Sequence, residues 1–348
     1  MFRGRGKDSL MESDKFQDYL NALLSRATGG SDVAAAPNAS PQISPLPVGL
    51  AAPASTEIMA WVTSQDSKKS VARIAIMVGG AGNGKSELTA KAVSGLHEIQ
   101  ADESSIAKRS YRYAIADKEL LLVNDATIGL GNAGNAGMAK EINSAIARGD
   151  NLVVNVNRGV IFEELYNNPD LGGSLILNWL ADPDIEKSDS DKNGYWLRSV
   201  ASADYAASVE VYEEERLVAA VAVCFMDVCS LLEPQPIVTL RNGNQESLDF
   251  EASPYKITQF RKRMNLEVAE VPAANLLERL VEELLDLLPE GESTNSEFEV
   301  VISNIKTLGV KEFQRNILSL LRAGEIASSR LITYRELWGA IARLILGD

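Results

Sequence analysis

The chain has 348 residues, 45% hydrophobic and 24% charged, enough for a sizeable core in two domains or in one large domain with an extension. Its formal net charge of −14 excludes a general electrostatic grip on nucleic-acid backbone, leaving room only for a local basic patch or a DNA-binding partner subunit. Two cysteines, Cys224 and Cys229, and one histidine, His97, exclude a disulfide framework and fall short of a zinc ligand set, so the cysteines read as small buried hydrophobes in a reducing cytosol.

The N-terminus, MFRGRGKDSLMESDK, is charged and has no apolar signal-peptide core. Residues 14–26 place Phe16, Tyr19, Leu20, Leu23 and Leu24 on one face at helical spacing, which predicts a short amphipathic helix packed on the chain's own body or on a partner. Residues 28–55 are rich in Ala, Pro, Ser and Gly and nearly uncharged. They read as a flexible linker, so residues 1–56 form an extension and the folded body begins near Thr56.

From there the pattern alternates. RIAIMV (73–78) has the look of a buried parallel strand, Ser86–Leu96 suits a helix, and ELLLVND (119–125) is a second buried strand. Ala136–Ala147 reads as a helix and NLVVNVN (151–157) as a third strand. Strands alternating with helices predict an α/β core with a parallel sheet and flanking helices over residues 57–233. After Gly194, YWLRSVAS, AASVEVYEE and RLVAAVAVCFM read as a strand meander at one sheet edge. The most apolar stretch, Leu217–Leu232, is interrupted by Asp227 and too short to span a bilayer, so a soluble, cytoplasmic protein is expected. From Pro234 the chain reads as helical (residues 234–348), with helices at Ser253–Met264, Ala273–Leu288, Ser296–Leu308, Lys311–Ala323 and Thr333–Leu346. The apolar spacing of ANLLERLVEELLDLL marks a packed bundle, a helical lid-like domain.

The sharpest chemical signal is GGAGNGKS, residues 79–86, which fits G-x-x-x-x-G-K-[ST] with Gly79, Gly84, Lys85 and Ser86 in register. The pattern arises by chance in roughly one in a hundred chains of this length, and here a strand precedes it and a helix follows. Glycines let the backbone wrap a phosphate with N–H groups inward, and Lys85 supplies a point charge for the β- and γ-phosphates. Ser86 offers a hydroxyl to Mg2+, and the helix start lends its open N–H groups to the anion. Gly79, Gly80, Ala81, Gly82, Asn83, Gly84, Lys85, Ser86 and Glu87 are therefore the expected binding residues for a nucleoside triphosphate with magnesium. The absence of a guanine-reading N-K-x-D motif favours ATP.

An acidic residue closing a neighbouring apolar strand is the usual second anchor for that metal, which points to Asp125. Ala126 follows it where many hydrolysing proteins carry a glutamate, so the water-positioning group is open between Glu141 and Glu87, and slow turnover fits equally. GLGNAG (129–134) matches G-x-G-x-x-G, but its setting after Asp125 reads as a loop over the site rather than a dinucleotide fingerprint. At the third strand's tip Asn157, with Asn155 second, is expected to reach the γ-phosphate or the attacking water. Arg158 reads either as a contact to a neighbouring subunit's nucleotide or as a solvated turn arginine. Arg335, early in the last helix, reads as a γ-phosphate sensor or as a surface salt bridge.

Taken in order, GGAGNGKSEL, LLLVNDAT, VVNVNRGVI and ITYRELW over roughly residues 70–348 resemble the AAA+/STAND-type ATPases of bacterial defence systems, in particular the ATPase component of DNA phosphorothioation-dependent restriction. That resemblance implies ATP hydrolysis that drives or switches a multi-protein complex, with Lys85, Asp125, Asn157 and Arg335 in catalysis and Ser86 and Asp125 on the metal. Its partners would be other subunits of a defence or DNA-processing complex, or further copies of the chain, and no membrane is involved. A nucleotide-dependent scaffold without hydrolysis, or a small-molecule kinase, are the rival readings.

Overall fold

Apolar runs as continuous as RIAIMV need cover on both faces, and the chain provides it with a sheet held between two helical layers. The computed structural model describes residues 15–24, 54–65, 70–99, 109–126, 137–167, 174–181, 194–203, 205–233, 238–240, 247–248, 250–252, 271–288 and 299–347. In chain order these contain α1 (15–24), α2 (Ser55–Thr63), β1 (Ala72–Val78), α3 (Lys85–Val93), β2 (His97–Glu98), β3 (Ser110–Ile115), β4 (Lys118–Val123), α4 (Gly137–Arg148), β5 (Asn151–Val156), α5 (Arg158–Asn167) and α6 (Ser174–Ala181). There follow β6 (Tyr195–Ala203), β7 (Ala206–Glu213), β8 (Arg216–Phe225), β9 (Val238–Leu240), β10 (Phe250–Ala252), α7 (Pro272–Asp286), α8 (Glu299–Leu308), α9 (Lys311–Ser328) and α10 (Tyr334–Leu346).

The main sheet has eight strands in the order β2-β3-β4-β5-β1-β8-β7-β6. Its centre, β4-β5-β1-β8, is parallel, and antiparallel strands extend it on both sides, so the fold is α/β with a mixed sheet and flanking helices. The antiparallel β2 and β3 lie beyond β4, where the sequence reading had no strands. The expected meander is present as β8-β7-β6, but β8 is also the parallel neighbour of β1 and so belongs to the sheet's centre.

Alternation along the strands builds two cores. One face carries Ile74, Ile76 and Val78 with Leu152, Val154 and Val156, under Met138, Ala139 and Ile142 of α4 and Trp179 of α6. The other carries Ala75, Met77, Leu120, Leu122 and Val153, covered by Ile58, Met59, Trp61 and Val62 of α2 and by Val93 of α3. With every residue of β1 and β5 buried, these are interior strands of a covered sheet. The helix α2 was not anticipated, although Ile58, Met59, Trp61 and Val62 carry its apolar face.

A third core joins α7 to α10 through Leu276, Leu280, Leu284, Ile305, Leu337 and Ile341. Phe16, Leu20 and Leu23 of α1 are part of it, so the N-terminal helix packs on the C-terminal helical unit rather than on the sheet. Residues after Pro234 are not uniformly helical as expected: β9 and β10 pair as a hairpin, and Ser208 Oγ donates to the carbonyl of Leu248 at 2.7 Å, tying this region to the sheet. The expected helix at Ser253–Met264, the GLGNAG run and most of the 28–55 linker lie outside the described residues. No helix among the described residues is long and apolar enough to cross a membrane.

Candidate functional site

Four parallel strands end on one edge of the sheet, and that edge is where an open α/β sheet offers a crevice for ligands. In lateral order the chain places Asp125 beyond β4, Asn157 beyond β5, Gly79 beyond β1 and Asp227 beyond β8. The ladder continues a step past the strands: Ala126 N donates to Asn155 O at 3.1 Å, Gly79 N to Val156 O at 3.1 Å, and Met226 N to Val78 O at 2.7 Å. These bonds hold the four segments in one row.

Residues 79–84 leave β1 and turn directly into α3. Gly82 and Gly84 have φ of 85° and 83°, the left-handed region that a side chain disfavours. Gly84 is the N-cap of α3, and no side chain caps that helix, so its first N–H groups face the loop. Gly79 is buried while Gly80, Ala81 and Glu87 are exposed; Gly82, Asn83, Gly84, Lys85 and Ser86 are half-buried. Asn83 Nδ2 reaches the Met226 carbonyl at 3.4 Å, resting the loop on the segment after β8.

The Lys85 ammonium turns back over this loop. It donates to the carbonyls of Gly79 at 2.6 Å and Gly80 at 2.8 Å and to Asn157 Oδ1 at 3.0 Å. Burial lowers its pKa to about 8, opposed by the negative charges of Asp125 and Asp227. Two carboxylates therefore act on the lysine at the sheet edge. Lys85, Asn157 and Asp125, chosen from separate stretches of sequence, share one electrostatic neighbourhood.

Asn155 does not share it. It is 2% exposed and donates from Nδ2 to Thr89 Oγ1 at 3.0 Å, beneath α3, because alternation along β5 turns it to the face opposite its neighbours. Asn157, two residues later and past the strand's end, is the residue that meets Lys85. Glu141 is also engaged elsewhere, in a buried bidentate pair with Arg109 at 3.2 and 2.8 Å, while Arg109 donates a further bond to the Ala126 carbonyl at 3.1 Å. This pins the residue after Asp125 to α4.

Arg158 makes a bidentate pair with Asp227, Nε to Oδ2 at 2.9 Å and Nη2 to Oδ1 at 2.8 Å, and its guanidinium lies 4.9 Å from the Phe225 ring centre. It is exposed and pairs with Asp227 on the rim, an arrangement compatible with either reading of this arginine. Asp227 was missed as a site residue. Its signal was an aspartate just past a long buried strand, the same signal that singled out Asp125.

The helical unit reaches the loop through the start of α10. Thr333 caps that helix in a capping box with Glu336. Arg335 N donates to the Gly82 carbonyl at 3.3 Å, and Tyr334 lies over Gly84, where an added Cβ would sit 3.5 Å from its ring. The Tyr334 hydroxyl is buried without a hydrogen-bond partner, and burial together with Glu87 raises its pKa. Arg335 is exposed at the loop's edge.

The donor set fits a phosphate chain: a lysine, left-handed turns at Gly82 and Gly84 and a helix start, all on one edge. For magnesium it fits the pattern in which the protein gives a hydroxyl and one carboxylate, Ser86 and Asp125, and phosphate oxygens and water complete the shell. A dedicated cage of three or more His, Cys, Asp or Glu is absent among the described residues. Comparison of the chain with protein-family models, with curated proteins and with solved structures returned no match.

Proposed function

We propose that this chain is a P-loop ATPase that binds ATP with Mg2+ at residues 79–87 and uses the nucleotide to switch a multi-protein complex in the cytoplasm. The observation that carries the reading is the set of partners at Lys85: two loop carbonyls and the strand-tip Asn157, with Asp125 acting on the charge from the next strand. A phosphate chain in this loop would take over the ammonium from neutral acceptors and add the attraction between opposite charges that those acceptors lack. Ser86 and Asp125 would hold the metal, whose chemistry is to neutralise charge on the phosphate oxygens. Asn157 is suited to hold the γ-phosphate or a water, and Arg335 to sense the γ-phosphate from the helical unit. The resemblance to AAA+/STAND-type defence ATPases supports other subunits of such a complex, or further copies of the chain, as partners.

One observation favours a second reading, a nucleotide-dependent scaffold with slow or partner-activated turnover. Ala126 follows Asp125, and Glu141 is committed to Arg109, which leaves exposed Glu87 as the remaining glutamate considered for positioning water. ATP binding and phosphate release by the full chain with Mg2+, beside Lys85→Ala and Asp125→Ala, separate the two. Binding lost in Lys85→Ala and turnover lost in Asp125→Ala support the ATPase. Tight binding with no phosphate release supports the scaffold, and no nucleotide binding by the wild type ends both.

A further inference from the structure

Glu325, on the helical unit, is 3% exposed, and its carboxylate is shared among three parts of the chain. It accepts from Ser230 Oγ at 2.7 Å, from Arg322 Nη1 at 2.7 Å and from the backbone N–H of Ile332 at 2.7 Å. Ser230 belongs to the segment by which the chain leaves β8, and Leu231 of that segment accepts from Ala273 N at the start of α7. Arg322 also pairs with Glu233 on the same segment. Ile332 stands just before Thr333, the cap of α10, whose first turn contacts Gly82 and Gly84.

These contacts close a circuit. The phosphate loop rests on the β8 exit through Asn83 and Met226, the exit is bonded to Glu325, and Glu325 holds Ile332. From Ile332 the chain enters α10, which returns to Gly82. A buried carboxylate has to be paired and hydrogen-bonded, and because bonds to a buried charge are the strong kind, the three donors to Glu325 tie the β8 exit, α9 and the start of α10 firmly together.

We propose that Glu325 is a positioning residue that fixes the seat of Thr333–Arg335 on the phosphate loop and thereby the loop's readiness for nucleotide. The inference rests on the nucleotide-site reading for its consequence but not for its geometry. The variants are Glu325→Gln and Glu325→Ala in the full chain, with Ser230→Ala as a milder variant that removes one donor and leaves the carboxylate. The first measurement is amide hydrogen exchange without nucleotide. Faster exchange by about tenfold is expected at the Arg335 amide, whose bond to the Gly82 carbonyl reports the seat, the loss of about one charge-assisted bond. The second is the Kd for Mg-ATP, expected to weaken about tenfold as the seated form becomes a minor population. Exchange unchanged at the Arg335 amide, or an unchanged Kd with faster exchange, overturns the proposal and leaves Glu325 as a local stabiliser of α9. If the glutamate variants fail to fold, Ser230→Ala decides by the same two readings at smaller amplitude. Should the wild type bind no ATP, the function proposed above fails, while the exchange result still decides whether Glu325 seats α10.

Discussion

Gly82 is where the sheet and the helical unit meet most tightly, and Gly82→Ala measures that contact. An alanine there would keep φ near 85°, which costs a residue with a Cβ about 1–2 kcal/mol. Its Cβ would lie 2.8 Å from Arg335 Cβ and 3.2 Å from Thr333 Oγ1, well inside the carbon–carbon optimum of about 3.5–4.0 Å. Arg335 Cβ is fixed to the first turn of α10 and cannot swing aside, so the overlap belongs with overpacking, at about 1–3 kcal/mol. The cheaper escape is for Thr333–Arg335 to lift off the loop, losing the Arg335 N–Gly82 O bond at about 1 kcal/mol.

The expected outcome is therefore a loss of about 2–3 kcal/mol with the α10 seat opened. Gly80→Ala is the matched control, because its added Cβ would meet only the end of the Asn83 side chain, Oδ1, at 3.1 Å, which can rotate away. Urea unfolding of both variants, with hydrogen exchange at the Arg335 amide, gives the comparison. If Gly82→Ala unfolds within about 0.5 kcal/mol of Gly80→Ala, which is the ordinary scatter of surface substitutions, and the Arg335 amide exchanges as in the wild type, the contact is not made and the reasoning fails.

The Lys85 ammonium has a folded-state pKa of about 8, below the ordinary 10.5, so between these values the unfolded chain binds more proton and stability gains a rising contribution as pH increases. ATP affinity, which needs the ammonium, is expected to fall over the same interval; titrations from pH 7 to 10 check it, and Asp227→Asn is expected to move the fall to lower pH by removing one attraction. Leu23→Ala, at a side chain with 0% exposure in the third core, is expected to cost about 2–5 kcal/mol, while Leu24→Ala, at 52% exposure, is expected to be near neutral. Urea unfolding of the two variants tests whether α1 is part of the helical unit.

The parallel centre of the sheet was legible because β1, β4 and β5 are unbroken apolar runs bounded by glycine or polar residues, a signal that survives without any tertiary context. β3 was not, since SYRYAI pairs backwards onto β4 through a turn at Ala116 and alternates polar with apolar residues, a pattern too short to stand out. The loop glycines, Lys85 and Asp125 were legible from motif and strand-end position. Asn155 against Asn157 was decided by where the strand stops: Asn155 lies inside β5 beneath α3 and Asn157 past its end, and NVN gave no boundary to count from. Asp227 carries the same strand-end signal as Asp125 but no motif beside it, and Glu325 carries no local signal of function. Asp227 gains its role from β8 lying beside β1, and Glu325 from a chain path that brings it back to the β8 exit at Ser230, 95 residues earlier in the chain.

The loop's shape follows from contacts made within the chain. Gly79 is bonded to β5, Asn83 to the β8 exit and Gly82 to α10, so the left-handed turns at Gly82 and Gly84 are held from three directions. A cradle ordered in this way spares a ligand the cost of arranging it, which is how preorganisation raises affinity. In the proposed site a phosphate chain would still have to displace the three acceptors of Lys85. Two of these are loop carbonyls that any residue at positions 79 and 80 would supply, and the third is the side chain of Asn157. Among the three acceptors, sequence variation can therefore tune the competition at Lys85 through Asn157, which follows β5, the strand between β1 and β4. In the proposed nucleotide site, the residue that restrains the lysine would thus also stand between the phosphate and Asp125, just past β4.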